Sequence, residues 1–278
     1  MATDAEEAVV MIDNVVTRSD RRGMVSMLAM LGGSPIARAA EALSGTTRPL
    51  NLCTGFPVKH RPETDGPAGT IVLAHALVAC GKQVRIASFG QVLDLMWPLL
   101  PAGVEAIFVP AGQEATPFWD GVAVTVEACG RTPTGSYLNM HGQDISHSAP
   151  WFETACGLHC LVSVGDGGNE FGMGSAPGEW YSALGRGVVR PLSTCDVLVP
   201  AEVSNWGALG IVAQLSVMRG ANLLPTPTAY IQLLEELAHR GAVDGVSEAN
   251  APTEDGRTQQ ETMQVVEALQ SWMANQSS

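Results

Sequence analysis

The feature that most constrains this chain is an alternation. Short apolar runs recur between segments of helical periodicity, and the runs open into polar, glycine-marked turns. Leu50–Thr54, Val84–Ser88, Val104–Pro110, Gly121–Cys129, Leu161–Val164 and Asp196–Pro200 read as strands. Gly66–Cys80, Gln91–Leu100, Ile145–Leu158, Ala208–Arg219 and Thr228–Arg240 read as helices. Asp4 to about Leu43 is mostly helical in pattern, broken at Gly32-Gly-Ser-Pro35, and Thr258–Ala274 closes the chain as an amphipathic helix. Such alternation predicts an α/β fold: a doubly wound, mostly parallel sheet with helices on both faces, a Rossmann-like three-layer sandwich. No linker is visible before Gly245, so residues 1–278 are expected to form one domain. It divides into an N-terminal helical segment (1–45), a core (50–245) and a C-terminal helix (258–275). The polar segment Ser247–Gln260 is either a loop packed over the site or a loose connector.

Composition narrows the function. The 15 Lys+Arg against 28 Asp+Glu leave a formal charge of −13. That balance argues against nucleic acid and against anionic membranes, both of which need a basic face. The hydrophobic fraction of 46% excludes a disordered chain. The acidic N-terminus resembles no secretory signal, and no apolar run approaches the roughly 20 residues that span a bilayer. The six cysteines are then expected to be reduced, in a cytoplasmic protein. Cys156 and Cys160 would share a face on a helix, but no second ligand pair completes a zinc site, so they read as core thiols.

In open sheets of this kind, ligands sit beyond the carboxyl ends of the strands. Four polar motifs fall there. After the first strand come Thr54-Gly-Phe-Pro57 and Glu63-Thr-Asp65-Gly66, where two carboxylates stand before a helix; Thr64 or Asp65 could equally cap it. Glu127 ends the fourth strand, followed by Arg131, Asn139 and His141. A carboxylate at a strand end of this architecture reads as functional, with an ion pair to Arg131 as the alternative for Glu127, whereas His141 reads as structural. The third motif is Gly165-Asp166-Gly-Gly-Asn169-Glu170-Phe-Gly-Met-Gly174. Five glycines let a ligand approach the main chain, and Asp166, Asn169 and Glu170 offer hard oxygen atoms suited to Mg²⁺ or Mn²⁺. The fourth is Ser204-Asn205-Trp-Gly207, where one of the first two residues is expected to cap a helix and the other to face the ligand. No Gly-x-Ser-x-Gly elbow occurs, which argues against a serine-hydrolase triad.

Together these motifs resemble the D-glutamate cyclase family, from about Asn51 to Asp244. The resemblance is to the cyclase unit, without the hydro-lyase-like domain that some members carry. It implies conversion of D-glutamate to 5-oxo-D-proline with loss of water. The residue roles are inferred from the chemistry: Glu63, Asp65, Asp166 and Glu170 as ligands of a divalent metal, and Glu127, Asp166 and Glu170 as catalytic carboxyl groups. Thr54, Arg131, Asn139, Asn169, Ser204 and Asn205 are the expected substrate contacts, with Arg131 on the α-carboxylate. No organic cofactor is expected. The expected partner is D-glutamate or a related acidic amino acid, and a homo-oligomer is compatible with the sequence. Two rival readings share the same residues: a metal-dependent hydrolase such as a phosphatase, and a non-catalytic binder of an acidic metabolite or nucleotide.

Overall fold

The computed structural model describes residues 12–117, 120–184 and 187–276. Residues 1–11, the start of the predicted N-terminal helical segment, lie outside them. A short helical stretch at 12–16 leads to α1 (Met24–Leu31) and α2 (Pro35–Gly45). Then follow β1 (Leu50–Gly55), α3 (Pro67–Ala79), β2 (Val84–Ser88), α4 (Gly90–Met96), β3 (Glu105–Phe108), β4 (Val122–Ala128), α5 (Phe152–Cys156) and β5 (His159–Gly165). The chain continues through α6 (Gly178–Ala183), β6 (Thr194–Pro200), α7 (Ser204–Arg219), α8 (Pro227–His239) and α9 (Gln259–Gln276). A two-residue ribbon pairs Pro57–Val58 with Arg61–Pro62 beyond the end of β1.

The six strands form one parallel sheet in the order β3-β2-β1-β4-β5-β6. This is the Rossmann-like α/β architecture expected from the alternation. Chain direction across the sheet reverses between β1 and β4, and the crevice above that switch point is where ligands bind in such sheets. The central strands are apolar almost throughout because both faces are covered. One face meets α2, α3 and α7 through Leu52, Val124, Val126, Val162 and Val164; α8 and α9 pack outside α7. The other meets α1, α5 and α6 through smaller residues, among them Cys53, Ala123 and Cys160, around Phe152 and Trp180. The six cysteines are unpaired. Among the described residues, no helix is long and apolar enough to cross a membrane.

Two sequence expectations need correction. Ile145–Leu158 is not one helix; only Phe152–Cys156 is helical, because residues 145–151 form turns in which Trp151 Nε1 donates to Ser146 O (3.0 Å). Cys156 therefore ends α5 and Cys160 lies in β5, so the two do not share a helix face. Helix α7 starts at Ser204, but neither Ser204 nor Asn205 caps it. The cap comes from Asp65, whose Oδ2 accepts from Ser204 N (3.0 Å) and Oδ1 from Asn205 N (2.7 Å). Asn205 returns the interaction: its Oδ1 accepts from Gly66 N (2.9 Å) and Gly69 N (2.6 Å) at the start of α3. Each helix is thus capped by the other's first residues, satisfying donors that would otherwise be buried unpaired.

This exchange needs α3 and α7 in close contact. A Cβ on Gly69 would fall 2.8 Å from Asn205 Cα and 2.9 Å from Ala208 Cβ, backbone and rigid side chain that cannot yield. We expect Gly69→Ala to lower unfolding free energy by about 1–3 kcal/mol in urea denaturation, as overpacking does. Gly45→Ala, where a Cβ meets nothing within 4 Å, should not destabilise; equal effects of the two would contradict the close-contact account.

Candidate active site

A cavity of about 450 Å³ opens beyond the switch point. Its acidic side is built from the ends of β1, β4 and β5. Glu127 is the extra residue of a β-bulge: Thr54 pairs with Val126 and Gly55 with Ala128, so Glu127 has no partner on β1 and adopts φ 46°. The bulge turns its carboxylate into the cavity, where Oε2 accepts from Ser204 Oγ (2.6 Å). Gly66 makes room for it, because a Cβ there would fall 2.8 Å from Glu127 Cβ and 2.7 Å from Thr54 Oγ1. Five described non-glycine residues have left-handed backbone: Lys59, His60, Glu127, Glu248 and Asp255. All five line this cavity. Strain of about 1–3 kcal/mol each persists only where surrounding structure imposes it, and such residues cluster at functional sites.

Carboxyl oxygens of Asp65, Glu127 and Asp166 lie within 4.8 Å of one another, all buried. Asp65 does not itself line the cavity, being 1% exposed behind the helix ends it caps. Glu63 does, with its carboxylate packed on Gly245. Burial is the largest influence on every one of these groups and raises each pKa, and neighbouring carboxylates raise them further. Asp65 is pushed up to about 8. Glu63, Glu127 and Asp166 are all held well above the ordinary carboxylate range, with Arg22 working against the rise at Glu63 and Asp166. Carboxylates this close cannot all ionise without a cation.

The remaining predicted residues divide by what they touch. Glu170 lines the cavity, but its oxygens accept from the backbone N–H groups of Asp166 (3.1 Å), Gly167 and Gly168 (2.7 Å), so it holds the glycine loop together. Asn169 lines the cavity while its Nδ2 donates to Leu138 O (3.0 Å). Asn139 also lines the cavity, its Oδ1 accepting from His141 N and Gln143 N (both 3.0 Å). Thr54 is buried beneath, with Oγ1 lacking a hydrogen-bond partner among the described residues. Ser204 and Asn205 reach the site through Glu127 and Asp65 rather than by lining the cavity. Arg131 stands outside it: its backbone N donates to Glu153 Oε1 (2.7 Å) and its Nε to Gly135 O (3.4 Å).

Sequence reasoning passed over the cavity's buried cation. Arg22, from the turn before α1, donates from Nη1 to Asp166 Oδ1 and from Nη2 to Asp255 Oδ1, both at 2.6 Å. It also overlooked Glu254 and Asp255. Glu254 is fully buried and accepts from Asn205 Nδ2 (2.7 Å), Trp206 Nε1 (2.6 Å), Tyr230 Oη (2.9 Å) and Thr262 Oγ1 (2.8 Å). The polar segment 247–260 is therefore a strap pinned over the site. His60 and His147, with ring centroids 5.1 Å apart, also line the cavity. Arg22 lies in the polar run Arg18-Ser-Asp-Arg-Arg22, and nothing there sets it apart from the neighbouring arginines as a site residue.

A Rossmann-like sheet with an acid-lined crevice at its switch point defines a class of small-molecule site. The sequence matches the family described as D-glutamate cyclase-like, C-terminal, over residues 12–270. The chain belongs to that family. It is 30% identical over 216 residues to the human protein named D-glutamate cyclase, mitochondrial. The match covers 66% of this chain and 35% of that relative, so the chain spans about a third of the relative's length.

The raised carboxyl pKa values set a pH dependence. A folded Asp65 keeps its proton up to about 8, whereas the unfolded group has released it above its ordinary 3.8. Folding therefore takes up protons in that window, and stability must fall as the pH rises through it. We expect the melting temperature without divalent cations to decrease steadily from about pH 5.5 to about pH 8.5. A flat or rising profile would contradict the buried, proton-holding cluster.

Proposed function

We propose that this chain is a lyase of the D-glutamate cyclase type, converting D-glutamate to 5-oxo-D-proline and water with help from a divalent cation, Mg²⁺ or Mn²⁺. The observation that carries the reading is the grouping of Asp65, Glu127 and Asp166 at the switch point of a chain belonging to this family. The donor set fits a hard cation: three buried carboxyl groups, with Asp166 Oδ2 buried and lacking a hydrogen-bond partner among the described residues. Asp65 and Asp166 would hold it beside a protonated Glu127, and the bound ion would neutralise the substrate's γ-carboxylate so that its carbon accepts a nucleophile.

The chain's own groups supply the proton traffic. D-glutamate enters as an ammonium with two carboxylates. Ring closure joins nitrogen to the γ-carbon, and the departing oxygen leaves as water. Two protons must pass from nitrogen to that oxygen. A crowded carboxyl set near neutral pH contains both protonated and ionised members, which is what this transfer requires. Glu127, kept protonated by burial and fixed by Ser204 at Oε2, is placed to give a proton from Oε1 to the departing oxygen. A neighbouring carboxylate takes one from the ammonium. No proton is consumed over a turnover. The strap and the residues His60 and His147 border the cavity, and whatever water they keep from the substrate would otherwise favour ring opening.

The test is an NMR time course on D- and L-glutamate with Mn²⁺ and then with chelator. We expect 5-oxoproline from the D-isomer, loss of activity on chelation, and at least a hundredfold slower turnover for Glu127→Gln with an unchanged melting curve. No product from either isomer would overturn the substrate assignment; stabilisation by D-glutamate without turnover would leave a binder instead.

A further inference from the structure

Cyclisation consumes the amine and the γ-carboxyl group of glutamate but leaves the α-carboxylate unchanged. A net-negative cavity must offer that carboxylate a cation from the chain. Lys59 lines the rim, but its side chain is 74% exposed and pairs with Glu248. Arg22 is different: its side chain is 12% exposed and its guanidinium reaches into the acidic wall. Three parts of the chain place it. Gly23 O accepts from Trp180 Nε1 (2.6 Å), and a Cβ on Gly23 would meet that ring nitrogen at 3.0 Å, so the turn is seated on α6. Ser19 N donates to Glu202 Oε2 (2.7 Å), and Glu202 forms a buried ion pair with Arg257 of the strap. Helix α1 is capped by Asp20, whose Oδ1 accepts from Val25 N (3.0 Å). The guanidinium is therefore fixed before any ligand arrives, which is what bidentate carboxylate recognition needs.

Its present partners are informative. Asp166 gives Arg22 only Oδ1, while Oδ2 is buried with no hydrogen-bond partner among the described residues. One carboxylate thus serves the arginine and the reacting end of the site through separate atoms. Asp255 meets Nη2 from the strap, in left-handed backbone (φ 54°). That strain is imposed from both sides: Glu254 is tied down by four hydrogen bonds, and Gly256 N donates to Asp244 Oδ2 (2.9 Å). A carboxylate is therefore held on a cavity-lining guanidinium by a costly backbone. A substrate carboxylate would make the same contact there.

We propose that Arg22 binds the α-carboxylate of an acidic amino-acid substrate, and that Asp255 occupies the guanidinium as an internal stand-in until substrate displaces its side chain. The proposal rests on the reading of the site given above. It follows that the anion competes with Asp255, and that removing the competitor strengthens binding while removing the guanidinium weakens it.

The test is calorimetric titration of the full chain with the product 5-oxo-D-proline, which keeps only the α-carboxylate, and with its primary amide. We expect wild type to bind the amide at least tenfold more weakly than the acid. Arg22→Gln should lose at least tenfold for the acid and no longer distinguish acid from amide, and Asp255→Asn should bind the acid several-fold more tightly. Equal affinity of wild type for acid and amide would overturn the Arg22 assignment even if the variants fail to fold, while leaving the cyclase reading in place. Weaker acid binding by a folded Asp255→Asn would overturn the stand-in role. No binding of 5-oxo-D-proline to wild type, with no turnover of D-glutamate, would remove both readings.

Discussion

The reciprocal capping of α3 and α7 is the interaction on which the rest of the site depends. Asp65 supplies the N-terminus of α7, Asn205 supplies that of α3, and Gly69 lets the two helices approach closely enough for the exchange. Both helix N-termini then point at the sheet's switch point, and their partial positive charges favour anions there. The same contact fixes Ser204 beneath Glu127 and leaves Asn205 Nδ2 to anchor Glu254. One pair of polar side chains therefore joins the sheet crevice, the Glu127 bulge and the C-terminal strap.

This arrangement concentrates more acid than the protein can ionise. Glu63, Asp65, Glu127 and Asp166 are all pushed upward by burial and by one another, and Arg22 answers only part of that charge. A structure selected for stability alone has no use for such crowding, because buried carboxylates cost several kcal/mol each when unpaired. The backbone carries the same tension, with each left-handed non-glycine residue of the described chain on the cavity wall. Under the proposed cyclase reading, proton transfer between nitrogen and oxygen would give this crowding a function, since it keeps an acid and a base side by side at neutral pH.

Much of this was legible in the sequence. The six strands were found with ends within a few residues, because apolar runs buried on both faces leave a strong signal. Glu63, Asp65, Glu127 and Asp166 are brought near one another at the switch point, as an architecture that places ligands after strands leads one to expect. The segment 145–151 was misread as helix because its apolar residues pack a small satellite cluster, with Tyr137 and Trp151 stacked, rather than a helix face. Arg22 and Asp255 were invisible for another reason. Each comes from a segment remote in sequence from the strands, and only the folded N-terminal turn and strap bring them to the crevice. Glu170 shows the opposite limit: its position in the glycine-acid motif suggested a ligand, while its oxygens are engaged by the loop's own N–H groups.

If the cluster at the switch point holds protons, a divalent cation bound there displaces them. Calorimetric titration with Mn²⁺ or Mg²⁺ at pH 7, in buffers of different ionisation enthalpy, measures those protons directly. One ion should bind per chain with release of about one proton or more, and both signals should be lost in Asp166→Asn. Binding without proton release, or no binding at all, would contradict that exchange.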